Sequence, residues 1–186
     1  MFEVLNVMKN GINSFISEDA LSLHKEYLKT LKLRYSVMEK SFPEIKDADV
    51  RRLLRMRHRY RDEILGLRSE IICHELFFDS FGEAYQSCAA VRERYRTESS
   101  FAYEISELSK KDDIKYIVIA MEKGAIKIIA LYNSRDIISI SQPVICIDLC
   151  EHSYFLDYGF DRAGYISNLL PYLNLGALNK FLPHKD

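Results

Sequence analysis

Apolar residues recur every three or four positions over the first third of the chain, a spacing that predicts two helices. Ser17 is a suitable N-cap for the first helix, and Pro43 ends it. The second helix is predicted to begin around residues 47–49 and to run to Phe78. Because the connection is short, the two helices should pack antiparallel as a hairpin. Their predicted inward-facing residues are Leu21, His24, Leu28, Leu31, Tyr35 and Met38 on the first, and Leu53, Met56, Tyr60, Ile64, Leu67, Ile71, His74 and Phe78 on the second.

The pattern changes after Gly82, which marks a predicted boundary between domains 1–82 and 83–186. Helices are predicted at 83–96 and 99–109, and a final helical part, interrupted near Pro171 and Gly176, follows from residue 161. Between them lie three β-branched apolar runs with turn residues at their joints. The predicted fold class is α+β, an N-terminal antiparallel helical hairpin followed by a C-terminal domain with a small three-stranded antiparallel sheet and flanking helices. The predicted strands are Tyr116–Met121, Ala125–Tyr132 and Ile137–Asp148.

Four residues in this layout suit a metal site. His24 and His74 lie on the inward faces of the two helices, while Asp148 and His152 sit four residues apart where the last strand gives way to a helix. One carboxylate with imidazoles is a ligand set for a first-row transition metal. A single inward histidine is more often a core residue bonded to a neighbour. Two inward histidines on facing helices, together with Asp148 and His152, favour the interpretation as a metal site.

The composition of the chain bears on its binding partners and its compartment. The 186 residues are 48% hydrophobic and carry a formal net charge of −1, which gives no general reason to bind nucleic acid or an anionic membrane. Six arginines between residues 51 and 61 could steer a small anion or form a nucleic-acid face, but no recognition motif accompanies them, and a solvated helix face is the simpler interpretation. We therefore expect no nucleic-acid and no membrane partner. The four cysteines show no CxxC spacing and indicate reduced thiols of a cytoplasmic protein.

The chain resembles the iron/manganese superoxide dismutases. Their signature, Asp-x-Trp-Glu-His-Ala-Tyr-Tyr-x-x-Tyr, compares with DLCEHSYFLDY at 148–158, and their second-ligand motif compares with ICHELFF at 72–78. An Ile-Ser opening before the first ligand matches Ile16 and Ser17. The resemblance implies that one iron or manganese ion is bound and that superoxide is disproportionated to dioxygen and hydrogen peroxide. It also implies a homodimer in which Glu151 reaches the partner's ligand histidine. The implied ligands are His24, His74, Asp148 and His152.

The chain departs from this family around the site. Where iron-type members have a glutamine and a gateway tyrosine that supply protons, it has Glu70 and Lys32, which we interpret as an ion pair that replaces this relay. A shifted register on the first helix would instead place Tyr27 at the gateway, but it loses a ligand. Glu70 lies on the second helix, as does the iron-type amide, which favours iron over manganese.

The chain also has no tryptophan, and Cys150 and Ile72 take two positions of the family's aromatic surround. Cys73, Cys146 and Cys150 are expected to fill the core. Two functions remain open on these residues. One is an active dismutase with an altered environment around the metal; the other is a metal-binding or structural relative with little or no dismutase activity.

Overall fold

The structure, a computed structural model, describes residues 11–46, 48–82 and 88–182. The first long helix, α1 (Glu18–Ser41), begins where the sequence predicts, because the Ser17 hydroxyl accepts a hydrogen bond from the Ala20 amide at 3.2 Å. The Ser17 amide in turn donates to the Asp157 carboxylate at 2.7 Å. That bond ties the start of α1 to a helix near the C-terminus.

The second predicted helix is broken into α2 (Val50–Arg55) and α3 (Arg61–Asp79). The backbone turns extended at Met56, and the His58 ring nitrogen accepts the Tyr60 amide at 3.1 Å in place of a helical carbonyl. A helix that continued through this segment would place Arg55 beside Arg59 and Arg57 beside Arg61, four residues apart, where like charges repel one another. The prediction of one continuous helix was therefore wrong over residues 56–60. Residue 47, where that helix was expected to begin, lies outside the described part.

Helices α1 and α3 form the predicted antiparallel hairpin. Their contact is a compact apolar cluster in which Leu31 of α1 faces Ile64 and Ile71 of α3, all at most 2% exposed. Burial of such side chains contributes roughly 1.5–3 kcal/mol each. The packing fixes which faces of the two helices meet, and so it brings His24 and His74 into one layer.

The second part of the chain supplies the sheet. Strand β1 lies in the centre, β2 and β3 pair with it antiparallel on either side, and Tyr116 stands opposite Asp148 in the register. The predicted early start of the third strand was wrong, because Asn133 and Asp136 form a capping box that turns 134–139 into a 3-10 helix. The elements are α4 (Ala89–Tyr95), α5 (Glu98–Ser109), β1 (Tyr116–Glu122), β2 (Ala125–Leu131) and β3 (Pro143–Asp148).

Helices α6 (Glu151–Tyr158) and α7 (Arg162–Leu169) follow the sheet, and two 3-10 turns, Leu170–Tyr172 and Leu175–Phe181, close the described chain. The α+β fold class is confirmed. The division at residue 82 stays a prediction, and residues 83–87 of a predicted helix lie outside the described part. Over 11–46, 48–82 and 88–182, no helix is long and apolar enough to cross a membrane.

The helical hairpin and the sheet share one buried core. Phe77 of α3, Ile117 of β1 and Ile147 of β3 belong to the same cluster and are fully buried. The Ser80 hydroxyl, also fully buried, accepts the Cys146 amide at 2.8 Å and so links the end of α3 to β3. The end of β3 is thereby held against α3, close to His74.

Candidate metal centre

Four elements bring the four predicted ligands together. His24 comes from α1, His74 from α3, Asp148 from the last position of β3 and His152 from the first turn of α6. One nitrogen or oxygen atom from each lies within 4.8 Å of the others. The Asp148 Oδ2 atom faces all three imidazole Nε2 atoms, at 3.3 Å from His24, 3.4 Å from His74 and 3.2 Å from His152. The cluster predicted from the sequence therefore exists as a geometric unit.

Asp148 is held on every side by hydrogen bonds. It is fully buried, and its Oδ1 atom accepts the Cys150 amide at 2.8 Å, which leaves Oδ2 turned to the histidines. Its backbone carbonyl accepts from the Tyr165 and Ser153 hydroxyls, each at 3.1 Å. Neither support was predicted from the sequence. In the sequence, Ser153 and Tyr165 are marked only as polar residues that follow Asp148 and His152 closely.

The histidines are oriented for ligation. The Nδ1 atom of His74 is 2.7 Å from the Glu70 carbonyl oxygen, so its Nε2 atom points inward. The Nε2 atoms of His74 and His152 are only 3.0 Å apart. His24 is 1% exposed, and although its Nε2 atom is 3.3 Å from the Asp148 Oδ2 atom, neither of its ring nitrogens makes an aligned hydrogen bond. A buried polar atom without a partner costs about 1–3 kcal/mol, which a bound cation would remove.

The charges in the cluster also suit a cation. Burial raises the pKa of Asp148, but the adjacent His152 and His24 imidazoles outweigh this effect and the net pKa of the carboxyl is lowered. Burial lowers the pKa of His74 and keeps its imidazole neutral. Burial also acts to lower the pKa of His152, but the Asp148 carboxylate outweighs it and raises that pKa. The buried Asp148 carboxyl is therefore negatively charged at neutral pH, beside three imidazole nitrogens.

A transition metal ion fits this donor set. Two ligands at right angles, each about 2.0–2.1 Å from one ion, stand about 3 Å apart, as the two Nε2 atoms of His74 and His152 do. Three imidazole nitrogens and one carboxylate oxygen are ligands that iron and manganese accept. The same ion would give the His24 Nε2 atom its missing partner.

The predicted ion pair between Lys32 and Glu70 is wrong. Lys32 extends from α1 to Glu75, with 2.8 Å between Nζ and Oε1, and both side chains are about half exposed. Glu70 instead accepts a hydrogen bond from the Tyr27 hydroxyl at 3.3 Å. Tyr27 is one turn after His24 on α1, whereas Lys32 is eight residues after it. Tyr27 therefore lies beside the cluster, and His24 lies within it.

The Tyr27 ring lies over two of the predicted ligands. Its ring centroid is 4.5 Å from that of His152 and 5.2 Å from that of His74. Burial, followed by the Glu70 carboxylate, raises the pKa of Tyr27 to about 12. The phenol therefore remains a hydrogen-bond donor at neutral pH. The signal that could have located Tyr27 is its spacing of three residues from His24, which puts both on neighbouring faces of one turn.

Phenylalanines and small residues surround the cluster. The His24 ring is 4.8 Å from Phe77 and 5.0 Å from Phe78. Ile72 is half-buried, and the half-buried Cys150 sends its thiol to the Lys115 carbonyl. All four cysteines are free, and burial raises the pKa of Cys150 and Cys146. These two thiols are therefore protonated at neutral pH.

The far side of His152 is open. The His152 side chain is 31% exposed, and Glu151 beside it is exposed at the start of α6. A groove of about 530 Å³ runs past both residues. Two aromatic rings on its rim, Phe155 and Phe160, are 45% and 92% exposed and contact each other edge to face. Two large apolar rings are thus exposed next to the predicted ligand His152.

Comparison with known proteins agrees with this arrangement. Residues 83–181, more than half of the chain, match the family described as iron/manganese superoxide dismutases, C-terminal domain. The chain belongs to the iron/manganese superoxide dismutase family.

Two curated relatives are similar over part of their length. One is the chloroplastic iron superoxide dismutase 3 of Arabidopsis thaliana, 36% identical over 59 residues, which cover 31% of this chain and 22% of that protein. The other is an iron superoxide dismutase of Cupriavidus metallidurans, 27% identical over 123 residues, which cover 57% of each chain. In both cases the match spans less than two thirds of the relative. The chain is therefore a divergent member of this family.

Proposed function

We propose that this protein disproportionates superoxide at a single iron or manganese ion held by His24, His74, Asp148 and His152. The observation that carries the proposal is the convergence of these four ligand atoms within 4.8 Å, in a chain of the superoxide dismutase family. The overall reaction converts two superoxide ions and two protons into one dioxygen and one hydrogen peroxide. The bound metal would supply the one-electron redox chemistry that this reaction needs.

The residues of the chain contribute charge, orientation and protection. Asp148 supplies one buried negative charge, which offsets part of the cation's charge while leaving the site attractive to an anion. The Glu70 carbonyl fixes the ring of His74, and Phe77 and Phe78 exclude water from the side of His24. Such outer partners set metal affinity and redox potential.

Proton supply is assigned to Glu70 in this proposal. Its half-buried carboxylate lies one turn before His74 and accepts the Tyr27 hydroxyl. A carboxylate at this place can take up a proton that a neutral amide cannot, and its charge favours the oxidised metal. Lys32, which was expected to share this role, pairs with Glu75, so we propose no direct part for it.

Iron is the proposed metal. Glu70 lies on the second helix of the hairpin, at the place that iron-type members use for their amide, and both curated relatives are named as iron enzymes. A cytoplasmic location, expected from the reduced cysteines, stays a prediction.

A homodimer completes the proposed site. The open side of His152 and the exposed Glu151, Phe155 and Phe160 would be covered by the same face of a second copy. Sedimentation velocity tests this arrangement. The wild type should sediment as a dimer and Glu151→Ala should shift toward monomer, whereas a monomeric wild type would contradict it.

A second candidate function is metal binding without useful dismutation. The observation that favours it is the absence of tryptophan from the chain, together with the charge introduced by Glu70. Both candidates predict a bound metal, and they differ only in turnover.

Stopped-flow decay of superoxide separates the two. Protein loaded with iron or with manganese should consume many equivalents of superoxide per site, and His74→Ala, which lacks one ligand, should not. Decay no faster than the spontaneous reaction, for protein shown to hold one metal per chain, would refute the dismutase and leave the binding function.

A further inference from the structure

Tyr27 contacts the metal cluster without being one of its ligands. Its ring is tilted by 30° over His152 at a centroid distance of 4.5 Å, and it also contacts His74 at 5.2 Å. The residue is 37% exposed, so one side of the ring faces the ligands and the other faces solvent. A ring in this position stands between the cluster and the outside of the hairpin.

The hydroxyl of Tyr27 has a defined partner. It donates to the Glu70 Oε2 atom at 3.3 Å, across the gap between α1 and α3. Glu70 forms no ion pair with any cationic side chain that the structure describes. Lys32, its predicted partner, pairs with Glu75 instead. The phenol is therefore the group that offsets the negative charge of Glu70 at the edge of the cluster.

We propose that Tyr27 is a positioning residue that closes the outer face of the metal centre and determines which anions enter it. The ring restricts access by size, and the hydroxyl holds the Glu70 carboxylate and reduces its repulsion of an incoming anion. The ligand class is a small monovalent anion, such as superoxide itself. This inference rests on the metal centre of the proposed function but not on its turnover.

The size restriction is tested by metal extraction. Wild type, Tyr27→Ala, Tyr27→Phe and Leu23→Ala are loaded with iron or manganese and exposed to EDTA. Leu23 is the control, because it lies one turn earlier on α1 and is 61% exposed. Tyr27→Ala should lose metal about 10-fold faster or more, the scale typical for a group beside a metal ligand. Tyr27→Phe keeps the ring and should stay within about twofold of the wild type, as should Leu23→Ala.

The role of the hydroxyl is tested by azide, a small anion that needs no turnover to bind. Tyr27→Phe leaves the Glu70 charge without its donor and should weaken azide binding about fivefold. Adding Glu70→Gln to Tyr27→Phe removes that charge and should restore the affinity. A structural role alone would not produce this reversal.

The outcomes distinguish this inference from the proposed dismutation. Equal EDTA extraction in Tyr27→Ala and wild type, or azide affinity unchanged by Tyr27→Phe, would overturn the assignment even if the wild type is an active dismutase. A metal-loaded protein that is inert toward superoxide but shows both effects would refute dismutation and support Tyr27. A chain that takes up neither metal would refute both.

Discussion

The two halves of the metal centre are built in different ways. Asp148 and His152 belong to one strand-to-helix turn, in which the Cys150 amide and the Ser153 hydroxyl bond directly to Asp148. His24 and His74 come from separate helices and meet only because α1 packs on α3. The first pair is positioned by local bonds and the second by long-range packing. The strand-to-helix turn can therefore keep Asp148 and His152 in place even when residues on α1 and α3 are substituted.

The largest predicted effect comes from the turn. Asp148→Asn keeps an oxygen that can accept the Cys150 amide, so the fold should survive, but it removes the only charged ligand. Metal affinity should fall by more than the roughly 10–100-fold that loss of an outer partner costs. Competition with a fluorescent chelator measures it, and circular dichroism checks the fold. Unchanged affinity would mean that Asp148 is not a ligand.

A smaller effect, on the free energy of unfolding, is predicted where α3 is linked to β3. Ser80→Ala deletes the acceptor of the buried Cys146 amide, and an unpaired buried group costs about 1–3 kcal/mol. Urea unfolding measures the loss. Ser41→Ala is the matched control, because Ser41 also donates to the carbonyl four residues earlier on its helix but is exposed. Equal losses in the two variants would show that the link between α3 and β3 contributes nothing.

The same contrast explains what could be predicted from the sequence. The ligand positions follow from spacing, since Asp148 ends a strand and His152 is one turn further, while His24 and His74 lie on apolar helix faces. The pairing of Glu70 with Tyr27 could not be obtained in this way. Which of two α1 residues reaches α3 depends on the rotation and offset of packed helices, which a one-dimensional pattern does not contain.

The two wrong predictions of secondary structure have local causes of the same kind. A helical apolar pattern continues through Met56 and Tyr60, but it does not show the mutual repulsion of arginines or the side-chain bond from His58 that breaks the helix. The third strand was extended too far toward its N-terminal end because β-branched residues at 137–140 outweighed the capping signal at Asn133. In both cases a polar side chain competes with the backbone pattern.

The smallest predicted effect concerns Lys32. Because its pair with Glu75 is exposed, Lys32→Ala should lower the free energy of unfolding by less than about 1 kcal/mol and leave metal affinity unchanged. Lys29→Ala, which removes another exposed pair on α1, is the control. Chemical denaturation and the chelator competition measure the two quantities. A clear change in metal affinity for Lys32→Ala alone would show that Lys32 acts on the metal centre despite its pairing with Glu75.

The metal content of the purified protein tests the central claim most directly. Elemental analysis after loading with iron or manganese should give one ion per chain for the wild type and far less for Asp148→Asn and His74→Ala. That result would show that one ion is shared by the turn and the hairpin. A folded wild-type protein that holds neither metal under any loading condition would contradict the account.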